Sequence, residues 1–499
     1  MRHPERTRPL ERTNGHGRFV ILAALVAFCM WMPVQAGAQL PSLINLNVPL
    51  GQEVSPVYRI FGDNAGEALG GGGGDPSTPS GQVALGDFDG DGFADVLVGI
   101  PLATTSVAST SGGAYILYGG SGLPGSYLDL NTDGIVTAAN ETRILGGGVN
   151  FIAGYAVAAG DVNGDGFDDA IVTEPGVDAS NPGRVRVVYG SPGLRGAVVN
   201  LSDSPTAVGI ATTEIVGTLD NPGGAPTSSL FGRAAASGDV NGDGFDDVIL
   251  GAYATDTLGG IDTGAVFVVF GSASLPGTTV TASTAAVAGV SSILGDDTED
   301  RFGWSVACGD VNGDGYDDVI AGAPYGNPQG RTDAGEVCVV YGQAVWLSAI
   351  DLNTANDAIS AASETRILGD DGLSANVSPD NFGWSVSSGD VNGDGFHEVV
   401  VGAYLATPLS RTRAGEAYVF YGKAGLPGTV LNMNTTPSES ISPAGETRML
   451  GATALDGTGF SVGAGDADGD GRADVLAGAW QSASGTQPGR IFLLRGANL

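Results

Sequence analysis

The chain has 499 residues; 83 are glycine and 25 proline, yet 42% are hydrophobic. That much apolar material excludes a disordered chain. That much glycine excludes a mainly helical one, because each glycine inside a helix costs about 1 kcal/mol. Lysine and arginine number 21 against 55 aspartates and glutamates, a formal charge of −34, which excludes docking on nucleic acid or anionic lipid through a basic face. Short strands joined by many tight turns are what this composition predicts.

The chain opens on an address. Residues 1–18 carry five arginines, an apolar run follows from Phe19 to Pro33, and Ala36-Gly37-Ala38 fits a small-residue cleavage site. This predicts a secretory signal over residues 1–38, cut after Ala38; an apolar run of that length falls short of the ~20 residues a spanning helix needs. The mature chain, residues 39–499, keeps 16 of the 21 basic and 53 of the 55 acidic residues, a formal −37. It also keeps only two cysteines, Cys308 and Cys338, and one histidine, His397. A disulfide scaffold and a histidine-rich metal centre are both excluded.

One nine-residue cluster recurs six times along the mature chain. Its acids and amides at positions 1, 3, 5 and 9 are Asp87, Asp89, Asp91 and Asp95, then Asp161, Asn163, Asp165 and Asp169, then Asp239, Asn241, Asp243 and Asp247. The later copies carry Asp310, Asn312, Asp314 and Asp318, then Asp390, Asn392, Asp394 and Glu398, then Asp466, Asp468, Asp470 and Asp474. Successive copies start 74, 78, 71, 80 and 76 residues apart, which fills the mature chain and leaves no room for a separate catalytic domain.

Alternation and β-branched content predict four strands per copy. In the fourth copy these are strand A at Trp304–Cys308, B at Asp318–Pro324, C at Glu336–Gly342 and D at Glu364–Gly369, the last preceded by a connection holding Ile350-Asp351-Leu352-Asn353. A lone D-type strand, Tyr58–Gly62, precedes the first copy, and the chain ends on an unpartnered C strand, Ile491–Leu494. The two complete one another if the copies form a ring, which would cover open sheet edges. The fold class is therefore all-β: a closed β-propeller of six four-stranded blades, with the N-terminal strand completing the last one. An open solenoid is the alternative, and seven blades would require a copy the sequence does not display. Cys308 and Cys338, on strands A and C with B between them, would lie about 10 Å apart, too far for a disulfide.

The loop acids are spaced for a hard cation. Positions 1, 3, 5 and 9 supply oxygen, position 7 can add a backbone carbonyl, and glycines at 4 and 6 permit the turn. Oxygen-only ligation from a flexible loop suits Ca²⁺ better than Mg²⁺. Position 12 is apolar or small (Ala321 in the fourth copy) and helical flanks are absent, so these are not EF-hands. Asp, Asn and Gly also form ordinary turns, but six copies with the same acids at 1, 5 and 9 exceed what a turn requires. Up to six Ca²⁺ ions are expected, chiefly as staples.

Phe302-Gly303, the loop Asp310–Asp318 and Gly322-Ala323-Pro324 together resemble the FG-GAP repeat of the integrin α-subunit propeller. The name residues vary: Gly-Ala-Pro becomes Gly251-Ala252-Tyr253, Gly402-Ala403-Tyr404, Gly478-Ala479-Trp480 and Thr173-Glu174-Pro175, and Phe-Gly is clear at Phe231, Phe302 and Phe382 but lost in the first copy. The resemblance implies metal loops on a lower face and partner docking on an upper one. The upper face would then hold the D–A connections 62–81, 217–231, 295–302 and 369–382 and the B–C connections 253–264, 325–335 and 404–415. Asp296, Asp297, Asp300, Arg331, Arg411 and Arg413 are its exposed polar candidates, while Trp304 and Trp384 are expected in the core. The function expected is an extracellular binding or adhesion module for a protein or glycan ligand, with no catalysis, no nucleic acid and no membrane insertion after cleavage. A passive calcium-stabilised surface or matrix protein is the alternative, and a hydrolase of extracellular polymers ranks behind both.

Overall fold

The computed structural model describes residues 59–61, 82–103, 111–120, 127–129, 141–148, 152–176, 181–202, 210–218, 229–257, 260–352, 364–370, 379–433, 446–467, 469–479 and 490–496. The expected signal and its cleavage site, Tyr58, Gly62, Asp468, Trp480 and most of the connections 62–81, 217–231 and 369–382 lie outside these residues. No described helix is long and apolar enough to cross a membrane.

Six sheets follow one another as the blades of a β-propeller. The fourth blade shows the plan. Strand A (Ser305–Gly309), strand B (Asp318–Ala323), strand C (Glu336–Val340) and strand D (Glu364–Leu368) pair antiparallel in that order, each within two residues of its expected bounds. Strand B lies between two neighbours with both faces covered, so its run Asp-Val-Ile-Ala-Gly-Ala is buried throughout. Strand A is innermost: from the first blade to the sixth, each A strand packs on the next. Because the A strands crowd one axis, they are built from small residues, such as Ala-Ala-Ala-Ser-Gly at Ala234–Gly238 and Ser-Val-Ser-Ser-Gly at Ser385–Gly389.

Each of the first four blades holds a fifth strand that the sequence did not announce. The C–D connection of the following copy supplies it, as when Val430–Asn432 pairs in parallel with strand D of the fourth blade. Ala349–Asp351 does the same for the third blade, so the Ile350–Asn353 stretch is a strand and not merely a connection. Each such strand adds a parallel seam between adjacent copies. The pairing expected to close the ring is not among those of the described residues. Arg59–Phe61 is a strand, but its partner is Tyr127–Asp129, in parallel, and among the described residues it does not join Arg490–Leu494. That parallel pairing is the one the D strands of the first four blades make with the next copy, so Arg59–Phe61 sits where the D strand preceding the first blade belongs. The sixth blade accordingly shows three described strands, Thr458–Gly465, Asp474–Ala479 and Arg490–Leu494.

The core lies between blades. Around Phe231, Ile171, Val185, Val187 and Ile215 of the second blade meet Val248, Leu250 and Phe267 of the third. Phe231, Phe302 and Phe382 are each 3% exposed or less, and each wedges at such a seam. The blades can close on these wedges because two backbones touch where the signatures meet. A Cβ on Gly322 would stand 2.1 Å from the Gly383 carbonyl oxygen of the next blade, and the same contact recurs between Gly251 and Gly303. Cys308 and Cys338 face different partners across strand B and are free thiols, which burial pushes well above the usual range.

Gly322→Ala is expected to cost about 1–3 kcal/mol, because the neighbour is backbone and cannot turn aside. Gly425→Ala, where nothing lies within 4 Å, is expected to change stability little. Thermal unfolding of the two variants side by side checks this.

Candidate metal loops

The six loops lie between strands A and B, at the end of the blades opposite the D–A and B–C connections, and they share one construction. The carboxylate at position 1 accepts three backbone N–H groups: Asp310 takes those of Gly313 at 2.7 Å, Asp314 at 3.1 Å and Gly315 at 2.9 Å. Position 5 accepts the N–H at position 7, as from Tyr316 to Asp314 at 3.1 Å. Position 9 opens strand B and is buried in every copy. It accepts the N–H at position 2 and, in five copies, a glycine N–H beyond strand C, as Asp318 does from Val311 at 2.8 Å and Gly342 at 2.9 Å. In the fifth copy Glu398 instead takes Val391 N–H at 2.5 Å and the Asn392 side chain at 3.0 Å.

Positions 1 and 3 are drawn together because both accept the same N–H. Asp165 donates to Asp161 at 3.0 Å and to Asn163 at 2.8 Å, and the pattern repeats for Asp87 with Asp89, Asp239 with Asn241, Asp310 with Asn312 and Asp390 with Asn392. In the first loop, oxygens of Asp87, Asp89 and Asp95 all lie within 4.8 Å of one another, a separation that suits a shared cation with ligand distances of about 2.4 Å. The sixth loop keeps the bonds of Asp466, Asp470 and Asp474, with Asp468 outside the described residues.

Hydrogen bonds alone leave this charge unsettled. Burial first, then neighbouring loop carboxylates, push Asp95 and Asp247 up to about 7 and Asp169 and Asp318 to about 8, and Glu398 rises to about 7 chiefly through burial. A divalent cation is the group that relieves both causes, and the donor set, all oxygen, fits a hard one.

The sequence missed the residues that join one loop to the next. Position 8 of each following loop donates its backbone N–H to the position 1 carbonyl of the loop before, from Asp168 to Asp87 at 3.1 Å through Ala473 to Asp390 at 2.7 Å. Where position 8 is aspartate, its side chain also accepts the position 1 N–H: Asp168 from Asp87 at 2.7 Å, Asp246 from Asp161 at 2.9 Å and Asp317 from Asp239 at 3.2 Å. The position 7 ring covers the preceding loop's glycine, as Phe396 does over Gly313. Recurrence of aspartate at position 8 was the available signal. Arg195 was missed too. It reaches from the second copy to Asp89 and, at 2.9 Å, to Asp91, and it stands where the Leu-Pro-Gly of other copies has proline.

At the opposite end, several expectations are corrected. Asp296, Asp300 and Arg331 are buried and Arg411 is half-buried, leaving Asp297 and Arg413 exposed. Arg331 turns inward to donate to the Gly369 carbonyl at 3.0 and 2.7 Å. Asp296, Asp300 and Glu336 gather within 4.8 Å, but Arg366 already enters that cluster, 2.6 Å from Asp296, as an internal counter-ion. Trp384 is buried as expected, while Trp304 is half-buried.

Blades of this plan, with Phe-Gly wedges and an acidic A–B loop, define an FG-GAP propeller. The FG-GAP repeat matches residues 81–117, 153–188, 231–269, 302–340 and 382–420, including the first copy, whose Phe-Gly is lost, so the chain is an integrin-α-like FG-GAP repeat protein. It is 31% identical to integrin alpha pat-2 of Caenorhabditis elegans over 268 residues and 28% identical to integrin alpha-V of Gallus gallus over 275, about half of this chain in each case. It is also 32% identical to phosphatidylinositol-glycan-specific phospholipase D of Mus musculus over 177 residues, 35% of this chain. These matches span only 18% to 22% of the relatives' lengths.

The raised carboxyls fix a pH dependence. A carboxyl that binds its proton more tightly folded than unfolded favours the folded state at low pH, and that advantage is lost as pH rises from about 4 through the folded values near 7 and 8. In chelator, the unfolding midpoint should fall between pH 5 and pH 8; in saturating Ca²⁺ the fall should be abolished. Parallel melting series in EGTA and in Ca²⁺ check this.

Proposed function

We propose that the chain is an extracellular FG-GAP propeller, held by Ca²⁺ in its A–B loops, that binds a protein or glycan ligand through the face opposite those loops. One observation carries the calcium reading. The first five loops repeat one oxygen donor set, half-buried at position 1, buried or half-buried at 3, exposed at 5 and buried at 9, and burial raises the position 9 carboxyl of each to about 7 or 8. The similarity to integrin α chains favours an adhesion-type module. Export rests on the sequence of residues 1–38, and the positions that would hold the ion are those numbered 1, 3, 5 and 9 in each loop.

The similarity to the phospholipase D named above leaves an enzymatic role to be tested directly. With a single histidine in the mature chain and its recurrent acids committed to the loops, this chain supplies little for acid–base or nucleophilic work. Cleavage of a phosphatidylinositol-glycan or of any polysaccharide by pure protein would overturn the non-enzymatic reading.

The mature chain is expected to bind at least one member of a panel of matrix proteins and glycans saturably in Ca²⁺ and to lose it in EGTA. Binding to none by a protein that melts cooperatively in Ca²⁺ would leave the passive structural role. Within the loops, Arg195 already supplies positive charge to Asp89 and Asp91, so the first loop should take Ca²⁺ more weakly than the second to fifth. Calorimetric titration of Arg195→Ala against the parent chain checks this: the variant should gain a tighter site, and an unchanged isotherm would show that Arg195 does not compete.

A further inference from the structure

The residue that follows the Phe-Gly turn opens each strand A at the axis, on the face opposite the acidic loops. From the second blade to the sixth these residues are Tyr155, Arg233, Trp304, Trp384 and Phe460. Tyrosines at the ends of strands B interleave with them. Ring centroids of Tyr253 and Trp304 are 4.6 Å apart, of Trp304 and Trp384 4.7 Å, and of Trp384 and Tyr404 4.5 Å, all tilted near 45°. The result is a stepped arc of aromatic faces around the mouth of the axis, with Tyr253, Trp304 and Phe460 half-buried. Left-handed backbone at Ile152, Leu230, Arg301 and Asn381, φ 44° to 59°, sets the turn that aims the opening residues.

Arg233 stands inside this arc. Its guanidinium carbon lies 4.4 Å from the Tyr155 ring centroid and 5.3 Å from those of Tyr253 and Trp304. Among the described residues no carboxylate reaches it within 4.0 Å, although Arg143, Arg184, Arg186, Arg195, Arg366 and Arg448 all pair with acids. In a chain with 55 acids to 21 bases, a half-buried arginine whose side chain, among the described residues, meets only rings keeps its ionic capacity open. Arg301, over the Tyr325 ring at 4.5 Å, is partly compensated by Asp262 and Asp333.

We propose that this mouth binds an acidic sugar, with the carboxylate of a uronate residue on the Arg233 guanidinium and the apolar face of the pyranose ring on the half-buried Tyr253 or Trp304. This deepens the binding role proposed above and rests on it. A cation is disfavoured, because the cation position over these rings is already filled. A neutral apolar ligand would leave the guanidinium desolvated without a partner. A uronate meets both demands at once, with a charge-assisted hydrogen bond and a flat face of C–H groups. The chain's overall negative charge does not forbid it. The acidic loops lie a strand length away, about 17 Å, roughly two screening lengths at physiological salt.

The test uses the full chain in Ca²⁺ with three probes: tri-galacturonate, neutral maltotriose and hexaglutamate. Tri-galacturonate should bind saturably and change tryptophan emission. Arg233→Gln should weaken it about tenfold or more, Arg233→Lys should restore part of the loss, and both variants should keep the parent's melting midpoint in Ca²⁺. Equal binding by Arg233→Gln, equal binding of maltotriose, or preference for hexaglutamate would overturn the proposal, as would failure of the folded chain to take any probe. In that last case the broader binding role survives if another panel ligand binds, and it fails separately if none does.

Discussion

The fold depends on blades meeting at backbone distance. Where the glycine of Gly322-Ala323-Pro324 faces the glycine of Phe382-Gly383, a single added carbon would stand 2.1 Å from a carbonyl oxygen. Packing that close lets Phe382 enter the seam between the fourth and fifth blades, and it sets where strand A of the next blade begins. Two signatures about 60 residues apart in sequence are thus one contact in space, which gives a physical reason for their joint appearance in each repeat. The contact fixes both ends of the blade, because strand A runs from this turn directly into the acidic loop.

At that loop, structure and charge make opposite demands. The position 9 carboxylate is needed as an acceptor for N–H groups from the loop and from the end of strand C, and it is buried to do so. Burial beside other carboxylates favours its neutral form, which accepts hydrogen bonds less well. A divalent ion would resolve the conflict by favouring the charged form that the hydrogen bonds also prefer. The buried ionic cluster at the other end of the fourth blade solves the same problem with Arg366. The fourth blade thus carries one built-in counter-charge, Arg366, at one end, and at the other an acidic loop that a cation from solution would balance.

Much of this was legible in the sequence. Strands A to D were found within two residues, because alternating β-branched runs and the rigid nine-residue loops mark their ends. The loop acids fall where spacing placed them, since a hairpin leaves little freedom between its two strands. The fifth strands were not legible. A three-residue stretch such as Ala349–Asp351, largely exposed, carries no alternation to detect, and its partner lies more than 50 residues away. Exposure was misjudged for Asp296, Asp300 and Arg331 because charged residues between strands normally face water. Here Arg366 and the Gly369 carbonyl, on a distant strand end, draw them inward. The closing strand was half right: Arg59–Phe61 takes the D position before the first blade, though its described partner lies across the next seam.

The links between loops have a direction. Each loop receives a backbone hydrogen bond, and in three cases a carboxylate, from the loop that follows it, while its own position 8 supports the one before. The series behaves as a chain of nearest neighbours whose two ends differ. The first loop leans on the second and supports no described neighbour, and the last is leaned upon but leans on none among the described residues. Each of these bonds is lost to both partners at once, so disorder at the first loop unpairs Asp168 of the second as surely as disorder at the second unpairs Asp87. Damage to such a molecule would pass first to the loops on either side of the one lost, so a repetitive structure fails from the point of injury outward.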